Sequence, residues 1–310
     1  MLEFKNITIE DKALLKPYLK NAGQYACEFT FGNNVLWDVD GLLQYAVADE
    51  LLIYRMRYDA QTVYCIPDFH GKICRTLELI QADAQICDKP YCITCLNSVM
   101  AEQIKQIYPD RFTFAFDDAH SDYIYSVDKL AALSGKKLHK KKNHWNYFKK
   151  NYEYVYESMN AGNAKECRNM KEKWFKERFL SMESDGVSKE ERQSLLWENR
   201  TIDTALDNFE AFEFTGGVIR VDKEILAFTL GEPVNDETFV VHFEKAFASV
   251  NGLYTTINQQ FVEHELLGKY RYVNREEDMG LPGLRKAKLS YYPEFLYEKW
   301  VAVPVGTELR

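Results

Sequence analysis

Three consecutive β-rich runs, Ala211 to Val221, Glu224 to Gly231 and Thr238 to Phe247, are joined by short polar turns. Joined so closely, they can only pair antiparallel, because a parallel crossover needs a dozen or more residues. Two long helical patterns precede them, near Ala164 to Leu180 and Lys189 to Leu206. After them come a helix at Leu253 to Leu267, a strand at Tyr270 to Val273, a helix at Leu284 to Leu289 and a closing strand at Phe295 to Val303. This order excludes a run of βα units and predicts helices packed on a mostly antiparallel sheet.

The first part of the chain reads in the same way. A short strand and a helix (Glu10 to Lys20) lead to strands at Leu43 to Ala48, Leu51 to Arg57 and Thr62 to Ile66. Helices near Ile73 to Gln81 and Ala101 to Tyr108 flank a strand at Tyr91 to Leu96, and strands at Phe112 to Phe116 and Tyr123 to Tyr125 follow. The expected class is α/β (α+β), with two mixed, mostly antiparallel sheets flanked by helices. The expected division is residues 1–134 and 135–310.

Between these halves lies Gly135-Lys-Lys-Leu-His-Lys-Lys-Lys-Asn-His-Trp-Asn-Tyr-Phe-Lys-Lys150. Residues 136–150 hold seven lysines and no acid in a chain of net charge −8, which leaves −15 for the rest. A concentrated positive element on an acidic protein points to an anionic ligand. At 100° per residue Leu138, Trp145, Phe148 and Tyr152 share the core face. Lys136, Lys140, Asn143 and Lys150 lie opposite, where solvated charge is the plain explanation. Lys141 falls inside the apolar stripe and Lys137 at its border, so each must snorkel or meet a partner.

Other features bound the function. No apolar run approaches the ~20 residues that cross a bilayer, and the amino terminus lacks a signal-peptide core, so a cytoplasmic protein is expected. Seven cysteines, six of them in the first third, fit reduced thiols better than a disulfide framework. Cys92-Ile-Thr-Cys95 has no second ligand pair to complete a zinc site, so no metal is expected. His264-Glu265 lacks the second histidine of a zinc-protease helix. Sharing a face with Leu253, Ile257 and Phe261, His264 is expected to be packed. Gly216-Gly217 inside a strand run predicts a bulge.

Candidate chemistry gathers in two places. On the strand Thr238 to Phe247, Val240, His242 and Glu244 alternate onto one side, and same-face neighbours ~7 Å apart could both touch one substrate group. Either Glu244 or His242 is then a candidate general base, against the alternative of a cross-strand ion pair. Near the carboxy end Leu284, Ala287, Lys288 and Tyr291 share one helix face, which turns Lys288 inward. Inward lysines are rare without a partner. Lys288 is therefore a candidate anchoring group, against a salt bridge to Glu276, Glu277 or Asp278.

From about Asp122 onward the chain resembles the phosphatidylglycerol lysyltransferase carboxy-terminal domain family. The likeness rests on Asp122-Tyr-Ile-Tyr through the basic segment to His144, and on Gly252-Leu-Tyr-x-x-Ile-Asn258. It rests also on Asn274-Arg-Glu-Glu-Asp-Met-Gly280 running into Leu284-Arg-Lys-Ala-Lys288 and Tyr292-Pro293. Ser290 stands where that family's helix carries a second lysine. The resemblance implies two tandem GNAT-like acyltransferase domains, the arrangement also found in Fem-type peptidyltransferases. It implies an acyl- or aminoacyltransferase acting on an amine or hydroxyl of a lipid head group, peptide or small molecule. In this reading Lys136, Lys137, Lys140 and Lys141 hold donor phosphates, and Glu244 or His242 takes the acceptor's proton. Arg285 and Lys288 orient a carboxylate or phosphate, with Asn258 and Asn274 in the substrate-binding motifs, and Tyr291 returns a proton to the leaving group.

The donor is expected to be aminoacyl-tRNA or acyl-CoA, and the acceptor possibilities include a peripheral membrane surface. Ala248-Ser-Val-Asn-Gly-Leu-Tyr254 holds a single glycine where coenzyme A enzymes cradle a pyrophosphate on successive backbone N–H groups, which tilts the expectation toward aminoacyl-tRNA. The alternatives are a coenzyme-A-dependent N-acetyltransferase and a non-catalytic module binding an anionic ligand or RNA.

Overall fold

The structure, a computed structural model, describes residues 2–20, 22–184 and 188–307. Its strands are β1 (Lys5–Asn6), β2 (Leu43–Ala48), β3 (Leu51–Arg57), β4 (Thr62–Cys65), β5 (Tyr91–Leu96), β6 (Phe112–Ala115), β7 (Asp122–Ser126), β8 (Tyr154–Ser158), β9 (Thr215–Val221), β10 (Glu224–Pro233), β11 (Thr238–Ala246), β12 (Tyr272–Asn274), β13 (Phe295–Tyr297) and β14 (Trp300–Pro304). The α-helices are α1 (Lys12–Lys20), α2 (Phe31–Leu36), α3 (Ile73–Cys87), α4 (Ser98–Ile107), α5 (Val127–Ala132), α6 (His139–Asn151), α7 (Ala161–Ser184), α8 (Lys189–Asp207), α9 (Phe209–Phe212), α10 (Leu253–Phe261) and α11 (Pro282–Leu289).

Two compact units result, both built from separated segments. The first comprises Met1–Tyr123, Glu276–Arg285 and Leu296–Arg310; the second comprises Ile124–Arg275 and Lys286–Phe295. The position 134/135 named from the sequence falls inside the second unit, after α5. Each sheet has seven strands and is mixed: β1-β2-β3-β4-β5-β14-β6, and β13-β7-β12-β11-β10-β9-β8. All the recorded pairings are antiparallel except β4–β5 in the first sheet and β11–β12 in the second. The expected closing strand Phe295 to Val303 is in fact two, and β14 pairs with β5 and β6. Its alternating Trp-Val-Ala-Val-Pro buries Ala302 among Ile93, Leu96 and Ile104 of the first core.

Turn chemistry sets the hairpins. Asp49-Glu50 and Asp222-Lys223 both adopt positive φ, at 52° and 64° and at 49° and 70°. That is the type I′ geometry whose twist matches paired strands, and it fixes Ala48 opposite Leu51 and Val221 opposite Glu224. Residues 211–214, read as strand, instead close α9 and lead into β9; Phe209, Phe212 and Phe214 cluster there.

The glycine pair marks no bulge. Gly216 and Gly217 keep regular pairing with Leu230 and Thr229, and a Cβ on Gly217 would strike the Tyr156 hydroxyl. The register shifts lie elsewhere, between Ile225 and Ala227 and, on β11, at His242. His264 is exposed. After α10 the chain continues as a π-helical turn, Val262–Leu266, whose extra residue per turn rotates His264 off the apolar face. It stacks on the Tyr156 ring instead, at 4.6 Å.

Candidate active site

The second unit gathers a charged cluster on the α10 side of its sheet. Strand β11 supplies Glu244. Asn258 of α10 donates from Nδ2 to Glu244 Oε2 (3.0 Å), and Arg275, directly after β12, donates from Nη2 to Glu244 Oε1 (2.8 Å). Parallel pairing of Val240 with Asn274 is what brings the end of β12 beside β11. The Arg275 guanidinium lies 4.9 Å from the Tyr291 ring centroid and 5.8 Å from that of Tyr125. Burial alone would lower the Arg275 pKa, but the Glu244 charge, with Tyr125 and Tyr291, raises it above its ordinary value. Lys288, buried as its inward phase required, donates from Nζ to the Arg275 carbonyl (2.6 Å), and the Lys288 carbonyl accepts from Tyr125 (2.8 Å). The lysine thereby fixes the backbone that carries Arg275.

Helix α6 adds Lys141. Leu138 and Phe148 are buried as the helix phase predicts, and Lys141 follows them inward. Its Nζ sits over the Tyr291 ring, 3.7 Å from the centroid. Burial first and Arg275 second pull its pKa down to about 8, with Glu244 opposing them. Tyr291 is buried, its hydroxyl approaches Thr255 Oγ1 at 3.4 Å, and burial pushes its pKa up.

Sequence reasoning thus brought Glu244, Asn258, Lys141, Lys288 and Tyr291 to one place. Lys136, Lys137 and Lys140 are exposed on the surface that leads to Lys141, with Lys137 over the Tyr292 ring at 5.5 Å. Asn274 is fully buried in β12.

Two of the candidates make contacts other than those expected. His242 is the extra residue of the β11 bulge, which breaks the alternation: Thr229 stands opposite Glu244, while Phe228, Leu230 and Glu232 share the other face with Lys245, Phe243 and Val240. His242 therefore points away from Glu244, holding Glu232 at 3.1 Å and meeting the Phe214 ring edge-on. Arg285 belongs with the first unit, where it makes a two-pronged pair with Asp278 (2.7 and 3.1 Å) and helps hold that carboxyl at about 2 against the effect of burial. Arg275 was missed. It stands in the Asn274–Gly280 motif, but no spacing shows that the short strand before it pairs with β11.

The first unit has a cluster of its own. The buried Lys299 ammonium meets Glu28 (2.6 Å), Glu277 (2.9 Å) and Asp122 (3.1 Å), and Asp122 also accepts from the Cys27 backbone N–H (2.8 Å). Among the described residues, Cys27, Glu28 and Asp122 are the one group whose donor atoms are close enough together to hold a metal ion, and Lys299 neutralises it. The seven cysteines are free thiols.

A family model described as phosphatidylglycerol lysyltransferase, C-terminal, matches residues 20–303. The chain belongs to that family. The fold agrees. A conserved protein of unknown function from Bacteroides thetaiotaomicron VPI-5482 is 36% identical with a TM-score of 0.89, over 98% of this chain and all of that one. L-PGS from Bacillus licheniformis superposes with a TM-score of 0.67 at 13% identity, over 96% and 93% of the two chains. FemX superposes with a TM-score of 0.61 at 10% identity, over 98% and 97%; at these identities the likeness is one of fold, the tandem Fem-type arrangement expected of the family. An uncharacterized protein, MYCGA3080, from Mycoplasmoides gallisepticum (strain R(low / passage 15 / clone 2)) is 26% identical over 208 residues, 66% of this chain. The match spans 62% of that relative's length. Among the described residues of this family member, no helix is long and apolar enough to cross a membrane.

Proposed function

We propose that the protein is an aminoacyl- or acyltransferase that moves an ester-activated acyl group from a phosphate-bearing donor, aminoacyl-tRNA before acyl-CoA, onto an uncharged hydroxyl or amine. The observation that carries this reading is the half-buried Lys141, with a pKa of about 8, beside the Glu244–Arg275 pair in a member of a transferase family. A base whose pKa lies near working pH is the efficient one. The acceptor X–H attacks the ester carbonyl carbon, X–C forms, and the proton leaves X for the free-base Lys141 Nζ. The C–O bond to the donor then breaks, and the departing oxygen recovers that proton, so that acyl–OR′ and H–X become acyl–X and HOR′. An ester donor is already activated, so positioning and proton transfer suffice without a covalent enzyme intermediate. Arg275 and Glu244 supply fixed charges beside the reacting carbonyl, and Lys136, Lys137 and Lys140 hold donor phosphates. The acceptor class we favour is one presented at a lipid surface or on a peptide.

The donor preference has structural support. Gly252 opens α10 at φ 87°, and a Cβ there would strike the His144 backbone carbonyl. The start of α10 is therefore packed against α6, where an open cradle of N–H groups would be needed for a pyrophosphate. The test is transfer from radiolabelled aminoacyl-tRNA and acetyl-CoA in parallel, with Glu244→Gln beside the wild type. We expect transfer from the tRNA ester, reduced about 100-fold in the variant, in the range of a lost electrostatic group. Undiminished turnover by Glu244→Gln would overturn the site. RNA binding without turnover from either donor would leave a binding module.

A further inference from the structure

Among the described residues, two hydrogen-bonding atoms beside Glu244 find no partner, Thr229 Oγ1 and Asn258 Oδ1. Both residues are almost wholly buried, at 0% and 1% exposure. Burying such an atom without a bond costs stability, so the few that persist call for an explanation. Other buried hydroxyls lack partners too, Thr62, Thr238 and Ser121 among them. Thr229 and Asn258 differ in flanking one carboxylate, that of Glu244.

Register explains the placement. Ser158, Gly217, Thr229 and Glu244 form one row across β8, β9, β10 and β11. Directly opposed residues on one face have their Cβ atoms about 5 Å apart. Gly217 contributes no side chain, and the space above it takes the Tyr156 hydroxyl, which donates to Glu265 (3.2 Å). Thr229 therefore stands between a tyrosine on one side and Glu244 on the other. Across from it, the Asn258 amide is oriented by its own bond: Nδ2 gives to Glu244, which leaves Oδ1 as a pure acceptor. The reverse orientation would set two acceptors against each other.

The atoms on offer are an amide oxygen, a hydroxyl and the outer lone pairs of a carboxylate. They require a ligand group that donates hydrogen bonds. The adjoining charges restrict it further: the Arg275 guanidinium already balances Glu244, so nothing offsets a buried ammonium, and a neutral O–H or N–H is favoured.

We propose that Thr229 and Asn258 form the seat for the attacking group of the acceptor, held uncharged: an amine gives hydrogens to Thr229 Oγ1 and Asn258 Oδ1, whereas a hydroxyl accepts from Thr229 Oγ1 and gives its one hydrogen to Asn258 Oδ1. This inference rests on the transferase reading given above and adds to it Thr229, a specificity element outside the family motifs in the sequence, beside the motif residue Asn258. Seated there, the hydroxyl or neutral amine keeps a lone pair for the acyl carbon and gives up its proton only as the new bond forms. Thr229 acts by positioning.

The test uses the full chain and two variants, Thr229→Val and Thr229→Ser. Valine keeps the shape and removes an unpartnered hydroxyl, so the melting temperature should rise by about 2 °C. A hydroxyl held within the protein or by a structural water predicts a fall. In transfer assays the donor is radiolabelled lysyl-tRNA, and the acceptors are phosphatidylglycerol vesicles (a hydroxyl) and a lysine peptide (an amine). Thr229→Val should raise the KM for whichever acceptor is used at least tenfold, leave the donor KM in place, and be rescued by serine. A fall in melting temperature, or an unchanged acceptor KM, overturns the seat. If the wild type transfers to neither acceptor, the transferase reading fails, and the thermal measurement still judges the seat: a fall overturns it and a rise supports it.

Discussion

Two charge clusters among the described residues, one in each unit, are opposite in sign. In the first unit three carboxylates, Glu28, Asp122 and Glu277, converge on Lys299. In the second, two cations, Arg275 and Lys141, share the ring of Tyr291, and Arg275 pairs with Glu244. The first is closed. Lys299 Nζ spends its three hydrogens on three acids, and burial keeps Glu28 above the usual carboxylate range although Lys299 opposes it. The second leaves hydrogen-bonding atoms unspent, with one cation lowered toward neutrality. A closed network serves architecture and an open one serves a ligand, and burial alone does not distinguish them.

Removing the central cation of each should break this comparison if it is wrong. Lys299→Met strands the buried Asp122 and the half-buried Glu28 and Glu277 and should cost about 3–5 kcal/mol, the range for a broken buried pair, read by urea denaturation. Arg275→Met should cost less, about 1.5–3 kcal/mol, the range for a lost hydrogen bond to a charged group, because Asn258 stays bonded to Glu244. Equal losses would show that the second cluster is as closed as the first.

A sharper contrast lies in pH. Lys141 accepts a proton only as the free amine, so transfer should climb as pH rises through about 8 and level off above it. In Lys141→Met that limb should vanish with about 100-fold of the rate, the lower end of general-base contributions. A profile unchanged in the variant would remove Lys141 from the chemistry.

The smallest effect belongs to the surface. Lys136 and Lys140 are exposed, and changing both to Ala should weaken RNA binding by about tenfold at moderate salt and flatten the salt slope by about 1.4, the amount for two single-strand phosphate contacts. An unaltered slope would assign those lysines to solvent alone.

Much of the fold was legible. Alternation located β2, β3, β5 and β11 nearly to the residue, and the basic helix was phased well enough to turn Lys141 inward. Local periodicity reports which face of an element is wet, and that was sufficient for Glu244, Lys288 and Tyr291. It failed where the chain departs from strict period. One extra residue in β11 turned His242 to the far face, and a π turn carried His264 into solvent.

The sequence by itself determined which elements form and which side chains each one hides, because those follow from spacing along a single helix or strand. Only tertiary structure decided that Arg275 meets Glu244, that Thr229 lies in its row, and that Arg285 is held by Asp278. Strand order and register join Arg275 to Glu244, 31 positions away, as readily as neighbours, and nothing in the local pattern of either partner encodes that choice.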